Sequence, residues 1–172
     1  MNNIEIIDRL TSINVWTSGT RRAPHKPLLL LLVLARCSRG EPREISYREV
    51  DQKLGALLRE FGPPSRSYHP EYPFWRLQHD GIWLVRDAGN LALRTGHSDA
   101  RKSELLRTNV KGGMTPEIYD ALRNDHKLLV DVAQAILDAH FPATLHDDIL
   151  SAVGLDLERS TSSRAKRDRA FR

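Results

Sequence analysis

Three short stretches of this chain bring cations, aromatics and hydroxyls close enough together to handle an anion. The first, TRRAPHKP, sets Arg21, Arg22, His25 and Lys26 just ahead of an apolar helix, where unpaired N–H groups and the helix dipole favour negative charge. A phosphate suits that chemistry, and solvated charges on a proline-fixed turn explain the same residues equally well. The second, RSYHPEYPFWR, mixes Arg66, Tyr68, His69, Tyr72 and Arg76 with Trp75 and two prolines. Basic side chains meet phosphates and aromatic faces take stacked bases, so the mixture suits nucleic acid. Within it, Tyr72 and Pro73 are hard to explain as core, because proline removes a backbone donor and fixes the chain's direction just before what reads as a strand. The third, RTGHSDARK, offers Thr95, Gly96, His97, Ser98 and Arg101: hydroxyls, an imidazole, a guanidinium and a backbone that a phosphate can approach closely. A plain surface loop has the same composition.

No comparable set supports catalysis. The chain lacks a Gly-rich phosphate loop followed by Lys-Ser/Thr, a Gly-x-Ser-x-Gly elbow and a His-Glu-x-x-His pair. Its seven histidines are scattered singly, and a lone histidine is more often a surface or core residue than a ligand or base. No catalytic residue, metal site or cofactor is therefore expected. Cys37, the single cysteine, lies in an apolar run and reads as a buried core thiol of a reducing, cytoplasmic protein.

A chain of 172 residues with 40% apolar and 28% charged residues suits one globular domain with a short appendage. The formal charge of +4 and sequence pI near 9.5 favour anionic partners. The longest apolar run, 28–35, is far short of the roughly 20 residues that span a bilayer. The N-terminus also lacks the layout of a signal peptide, so no membrane role is expected. Nothing in the sequence sets an oligomeric state.

These residues need elements to hold them, and the spacing of apolar positions supplies candidates. Ile6, Leu10 and Ile13 predict a first helix from Asn3 to Thr17, ended near Gly19. Pro27 suits the first turn of a second helix, whose LLLLLVLARC is apolar all round, as in a central helix. Ser46 and Glu49 form a capping box for a third helix that runs to Phe61 and stops at Gly62. FWRLQ and IWLVRD flank His79-Asp80-Gly81 as a hairpin, and LALR could add a strand. Thr115 and Pro116 start a helical stripe that closes before Pro142, and a last helix runs from Thr144 to Val153, stopped by Gly154. The expected fold is α+β and mainly helical, with a small antiparallel sheet or hairpin and a winged-helix-like part. Residues 1–157 would form the domain, and the Ser- and Arg-rich 158–172 a basic tail or linker.

Taken together, RRAPHKPLLLLLVLAR, LLREFGPP, HPEYPFWRLQHDGIWLV and RTGH resemble the sulfur-binding domain that precedes an HNH nuclease domain in McrA-type bacterial restriction endonucleases. The resemblance covers most of Ile4 to Leu155, and RDRAFR in the tail is similar to the opening of such a nuclease domain. It implies a non-enzymatic recognition module of modification-dependent (type IV) restriction that binds double-stranded phosphorothioate DNA, in which sulfur replaces one non-bridging phosphate oxygen. It places the sulfur in a shallow apolar cavity around Tyr72 and Pro73. It also implies that the loops carrying Arg21, Arg22, His25, Lys26 and Thr95, Gly96, His97, Ser98 hold neighbouring phosphates and base edges. Where flanking arginines are expected, this chain offers His25, His97 and Ser98.

Sulfur is larger and more polarizable than oxygen and a poorer hydrogen-bond acceptor, so an apolar seat gains dispersion contacts and forfeits little hydration. Burying about 40 Å² at ~25 cal/mol per Å² contributes roughly 1 kcal/mol. Stripping an oxygen of water without a partner costs on the order of 1 to 3 kcal/mol more. Together these allow roughly 30- to 1,000-fold discrimination. The competing expectation is a winged-helix-like domain for ordinary DNA or a protein, with the 46–61 helix offering Lys53 and Arg59 to a groove. Glu49, Asp51 and Glu60 on that helix oppose it.

Overall fold

A helix apolar on every side must be covered on every side. The computed structural model describes residues 1–15, 17–18, 21–91 and 99–157, with residues 17, 18, 21 and 22 described by backbone only. Along the chain come α1 (Asn3–Thr11), β1 (Thr17–Ser18), β2 (Arg21–Arg22), α2 (His25–Ser38), β3 (Ile45–Ser46), α3 (Tyr47–Phe61) and α4 (Glu71–Arg76). They continue with β4 (Trp83–Val85), α5 (Lys102–Thr108), β5 (Lys111–Met114), α6 (Pro116–Asn124), α7 (His126–His140) and α8 (Ala143–Val153). Short 3-10 turns cover Leu77–Asp80 and Ala88–Asn90. The central helix is α2, buried from Pro27 to Cys37. It packs against α3, α4, α6, α7 and α8, while α1 lies on α7. Each fully buried leucine in it contributes about 1.5–3 kcal/mol. Cys37 is buried there too, and burial pushes its thiol pKa up to about 11, which makes it inert at neutral pH.

Arg36 is the charged exception, only 7% exposed. Its guanidinium donates to Glu49 Oε2 at 2.6 Å and to the carbonyls of Pro42 and Glu44. The predicted capping box at α3 is therefore half formed. Ser46 accepts the Glu49 N–H, while the Glu49 carboxylate serves Arg36 instead of the cap.

A three-stranded antiparallel sheet in the order β3-β5-β4 covers one side of the bundle, with Ile45 opposite Gly112 and Trp83 opposite Met114. Gly113 is needed at its centre, because a Cβ there would overlap the carbonyl oxygen of Arg43. A separate two-stranded ladder pairs Thr17 with Arg22 and Ser18 with Arg21. Among the described residues no helix is long and apolar enough to cross a membrane.

The mainly helical α+β class is as expected, and so are the extents of α3 and α8, with Gly154 ending α8 at φ +77°. Other expectations change. The first helix stops at Thr11, where the Ser12 N–H returns to Asp8, and the Asn14 N–H goes to Asp80 Oδ1 at 2.8 Å. The FWRLQ hairpin strand does not exist: these residues lie in α4 and the following 3-10 turn, and β4 pairs with β5 instead. Two prolines disfavour a strand interior but suit a helix's first turn, and Phe74, Trp75 and Leu77 are buried at helical spacing. The 116–140 stripe breaks at Asp125, which caps α7 by accepting the Leu128 N–H at 3.1 Å. Helix α5 and strand β5 were not expected, and the LALR strand falls mostly outside the described residues.

Candidate nucleic-acid interface

Helix α4 is short but firmly seated. Pro70 takes its N-cap position and Pro73 its third residue, where the missing N–H would have had no intrahelical partner. On the inner face Phe74 meets Tyr47 edge-on at 5.1 Å and Trp83 at 6.0 Å, joining α4 to α3 and β4. Tyr72 and Arg76, four residues apart, share another face, with Tyr72 half-buried and Arg76 exposed.

The Tyr72 ring is held on that face. His69 stacks on it with centroids 4.6 Å apart and planes 14° from parallel, and the Arg76 guanidinium lies 4.2 Å from its centroid. Both neighbours are in turn fixed by carboxylates. His69 Nδ1 is 3.0 Å from Glu71 Oε2 and its Nε2 is 3.2 Å from Ser67 Oγ. Arg76 donates to both oxygens of Asp99, at 3.2 and 2.9 Å, a bidentate pair that raises the arginine pKa further. Glu71 is 6% exposed, and its Oε1 is buried without a hydrogen-bond partner among the described residues. An orphaned buried oxygen is costly, and such costs gather at functional sites.

Beside the ring opens a cleft of about 330 Å³. Val15, Ala23, Tyr72 and Pro73 give it an apolar wall, and His25, Lys26 and Arg76 line the rest with Asn14. Pro73 is buried beneath the wall, so Tyr72 supplies the more accessible surface. The Lys26 ammonium is already committed: it donates to Asp80 Oδ2 at 2.6 Å and to the Asn14 carbonyl at 2.9 Å, with both charged side chains largely buried. It braces the cleft from below. For His25, burial lowers the pKa below 6.5, the nearby His69 and Arg76 lower it further, and Glu71 opposes them. A neutral imidazole next to a guanidinium can donate to an anion without the cost of a buried charge.

The cleft thus joins Tyr72, Pro73, His25, Lys26 and Arg76, with His69 behind the ring. Arg66 and Tyr68 line a separate recess with Arg59 and Lys102. Arg101 is exposed at the N-cap of α5 and lines neither cavity. Arg21 and Arg22 form β2, and their side chains lie outside the description, as do Thr95, Gly96, His97 and Ser98 altogether. Asp99, the next described residue, pairs with Arg76. Sequence reasoning missed Val15, Ala23, Asp80 and Asp99. Small apolar residues and single acids carry no local signal, and only the tertiary fold brings them to the cleft.

Comparison with known proteins identifies the family and the fold. The family model for the ScoMcrA-like DNA sulfur-binding domain matches residues 3–158. Curated proteins give no match. Among solved structures, the sulfur-binding domain of ScoMcrA complexed with phosphorothioated DNA is 22% identical with a TM-score of 0.77, covering 87% of this chain and 94% of that one. The sulfur-binding domain of SprMcrA, also complexed with phosphorothioated DNA, is 22% identical with a TM-score of 0.76, covering 90% and 95%. The type IV phosphorothioation-dependent restriction endonuclease ScoMcrA is similar at 22% identity and a TM-score of 0.73, and this chain covers 32% of it. By the extent of that family match, the chain belongs to the ScoMcrA-like DNA sulfur-binding domains.

Proposed function

We propose that this chain binds DNA at a phosphorothioate linkage and seats the sulfur in the cleft beside Tyr72. The observation that carries this reading is the cleft's division into an apolar wall of Val15, Ala23, Tyr72 and Pro73 and a polar side of His25 and Arg76. A phosphorothioate has that same division. Its sulfur wants contact and little hydration, while its remaining non-bridging oxygen wants donors. An unmodified phosphate would press a strongly hydrated oxygen against the apolar wall and lose water without gaining a partner.

To neighbouring phosphates and base edges we assign Arg21, Arg22, Thr95, Gly96, His97, Ser98 and Arg101. The relatives support the ligand, since two similar domains are complexed with phosphorothioated DNA. The chain acts as a recognition module, and 158–172 link it to a nuclease domain of the HNH type. Reading of ordinary DNA by α3 finds less support. Its apolar face is buried, Lys53 lies 3.5 Å from Glu49, and Asp51 pairs with Lys102 at 3.2 Å.

The test compares one short duplex carrying a single sulfur with its unmodified twin at physiological salt. Tighter binding of the modified duplex, by roughly 30- to 1,000-fold from the contact and desolvation terms, is expected. Equal affinities would refute the sulfur reading.

A further inference from the structure

A second concave site lies on the other side of His69. It is a recess of about 320 Å³ whose cations are Arg59 from α3, Arg66 from the following loop and Lys102 from the start of α5. Among the described residues Asp51 is its one carboxylate and pairs with Lys102 at 3.2 Å, so these lining residues hold a surplus of two positive charges (three cations less one carboxylate). Arg59 and Arg66 are exposed. Arg59 lies over the Tyr68 ring at 5.6 Å, which orients its guanidinium without neutralising it.

Gly55 of α3 also lines the recess. It lies mid-helix, where glycine costs helix stability. Its φ is not in the left-handed region, and a Cβ there would meet only Arg59 Nη1 at 3.8 Å and Pro70 Cγ at 3.9 Å, ordinary contacts. The bare position lets Arg59 and Pro70 lie close to the α3 backbone. Pro70, Ser67 and Tyr68 complete the wall, and Ser67 Oγ reaches His69, which also stacks on the Tyr72 ring. The recess and the sulfur cleft therefore flank the start of one helix and share one connecting side chain.

We propose that this recess binds a second, sulfur-free phosphate of the same DNA, with Arg59 and Arg66 as its principal donors. The proposal rests on the function proposed above and divides the labour of that site. The Tyr72 cleft discriminates sulfur from oxygen, and the recess supplies sequence- and sulfur-independent affinity and fixes the register of the backbone. Guanidiniums suit this task because their planar donors grip phosphate oxygens in pairs.

The experiment measures dissociation constants for a duplex with one phosphorothioate and for its unmodified twin over a range of NaCl concentrations. It uses the full chain and its Arg59→Ala/Arg66→Ala and Gly55→Glu variants. Both variants are expected to bind both duplexes about tenfold or more weakly. The slope of log affinity against log salt should fall by about 1, the loss of one phosphate contact. The ratio between the two duplexes should stay within about twofold of the parent's. Arg66→Lys should retain the slope. Unchanged affinity and slope in the double variant would overturn the proposal, and so would loss of the sulfur preference alone. If the parent chain shows no preference for sulfur, the sulfur reading fails, while a reduced salt slope in the variants still supports the recess as a phosphate site.

Discussion

Tyr72 is held by two neighbours that are themselves held, His69 by Glu71 and Arg76 by Asp99. A ring fixed in advance loses little freedom when a ligand arrives, so more of the contact energy appears as affinity. Lys26 has the opposite character: it is a cation near the anion site whose charge is already spent on Asp80. Lys26→Ala is expected to cost roughly 2–4 kcal/mol of folding stability in urea unfolding, since it leaves Asp80 buried without its counter-charge. His25 carries the pH dependence. Because its folded-state pKa is lowered, the unfolded chain takes up the proton first, so this group removes stability as pH falls below about 6.5. A bound anion raises the same pKa, so binding takes up a proton and affinity should rise as pH falls through the range between the bound and the lowered free value, by up to about tenfold per unit. His69, Glu71 and Arg76 face the imidazole, so the comparison is with His25→Gln, in which that rise should flatten. An unaltered pH profile in that variant would assign the proton elsewhere.

At the scale of elements, α4 shows why part of the fold could be read and part could not. The amphipathic pattern of α3 and the all-apolar run of α2 are local, and both helices form where the spacing puts them. In 74–78 the apolar residues fit either a buried strand or a short helix, and His79-Asp80-Gly81 mimics a hairpin turn. The choice is made by Pro70 and Pro73 and by Tyr47 and Trp83, which receive Phe74 from distant parts of the chain. The sheet is equally non-local. Strand β5, with Gly112-Gly113 at its centre, has almost no strand propensity and exists because β3 and β4 flank it. Gly113→Ala should therefore destabilise the fold by on the order of 1–3 kcal/mol, since the atom in the way belongs to the Arg43 backbone and has little room to move. A wild-type unfolding midpoint in that variant would show that β3 tolerates displacement.

For the whole molecule, the division is between a helical scaffold and a thin layer of side chains on one helix and its flanking loops. Tyr72, Pro73 and His25 could be found in the sequence because proline and aromatic residues stand out where they do not serve a strand. Val15, Ala23 and Asp99 could not, since only folding brings residues 15, 23, 72 and 99 together. The cations gathered around the cleft and the recess give general attraction to DNA, which salt screens, while the proposed sulfur contact is apolar and is not screened. The preference for modified DNA should accordingly persist at salt concentrations that weaken binding overall. The most direct measurement couples the ligand's sulfur to Tyr72: the ratio of dissociation constants for plain and phosphorothioate duplexes is compared between the parent chain and Tyr72→Ala. A parent ratio of roughly 30 to 1,000 that falls below about 10 in the variant is predicted from the contact and desolvation terms. A ratio that survives Tyr72→Ala unchanged would place the sulfur somewhere other than this cleft.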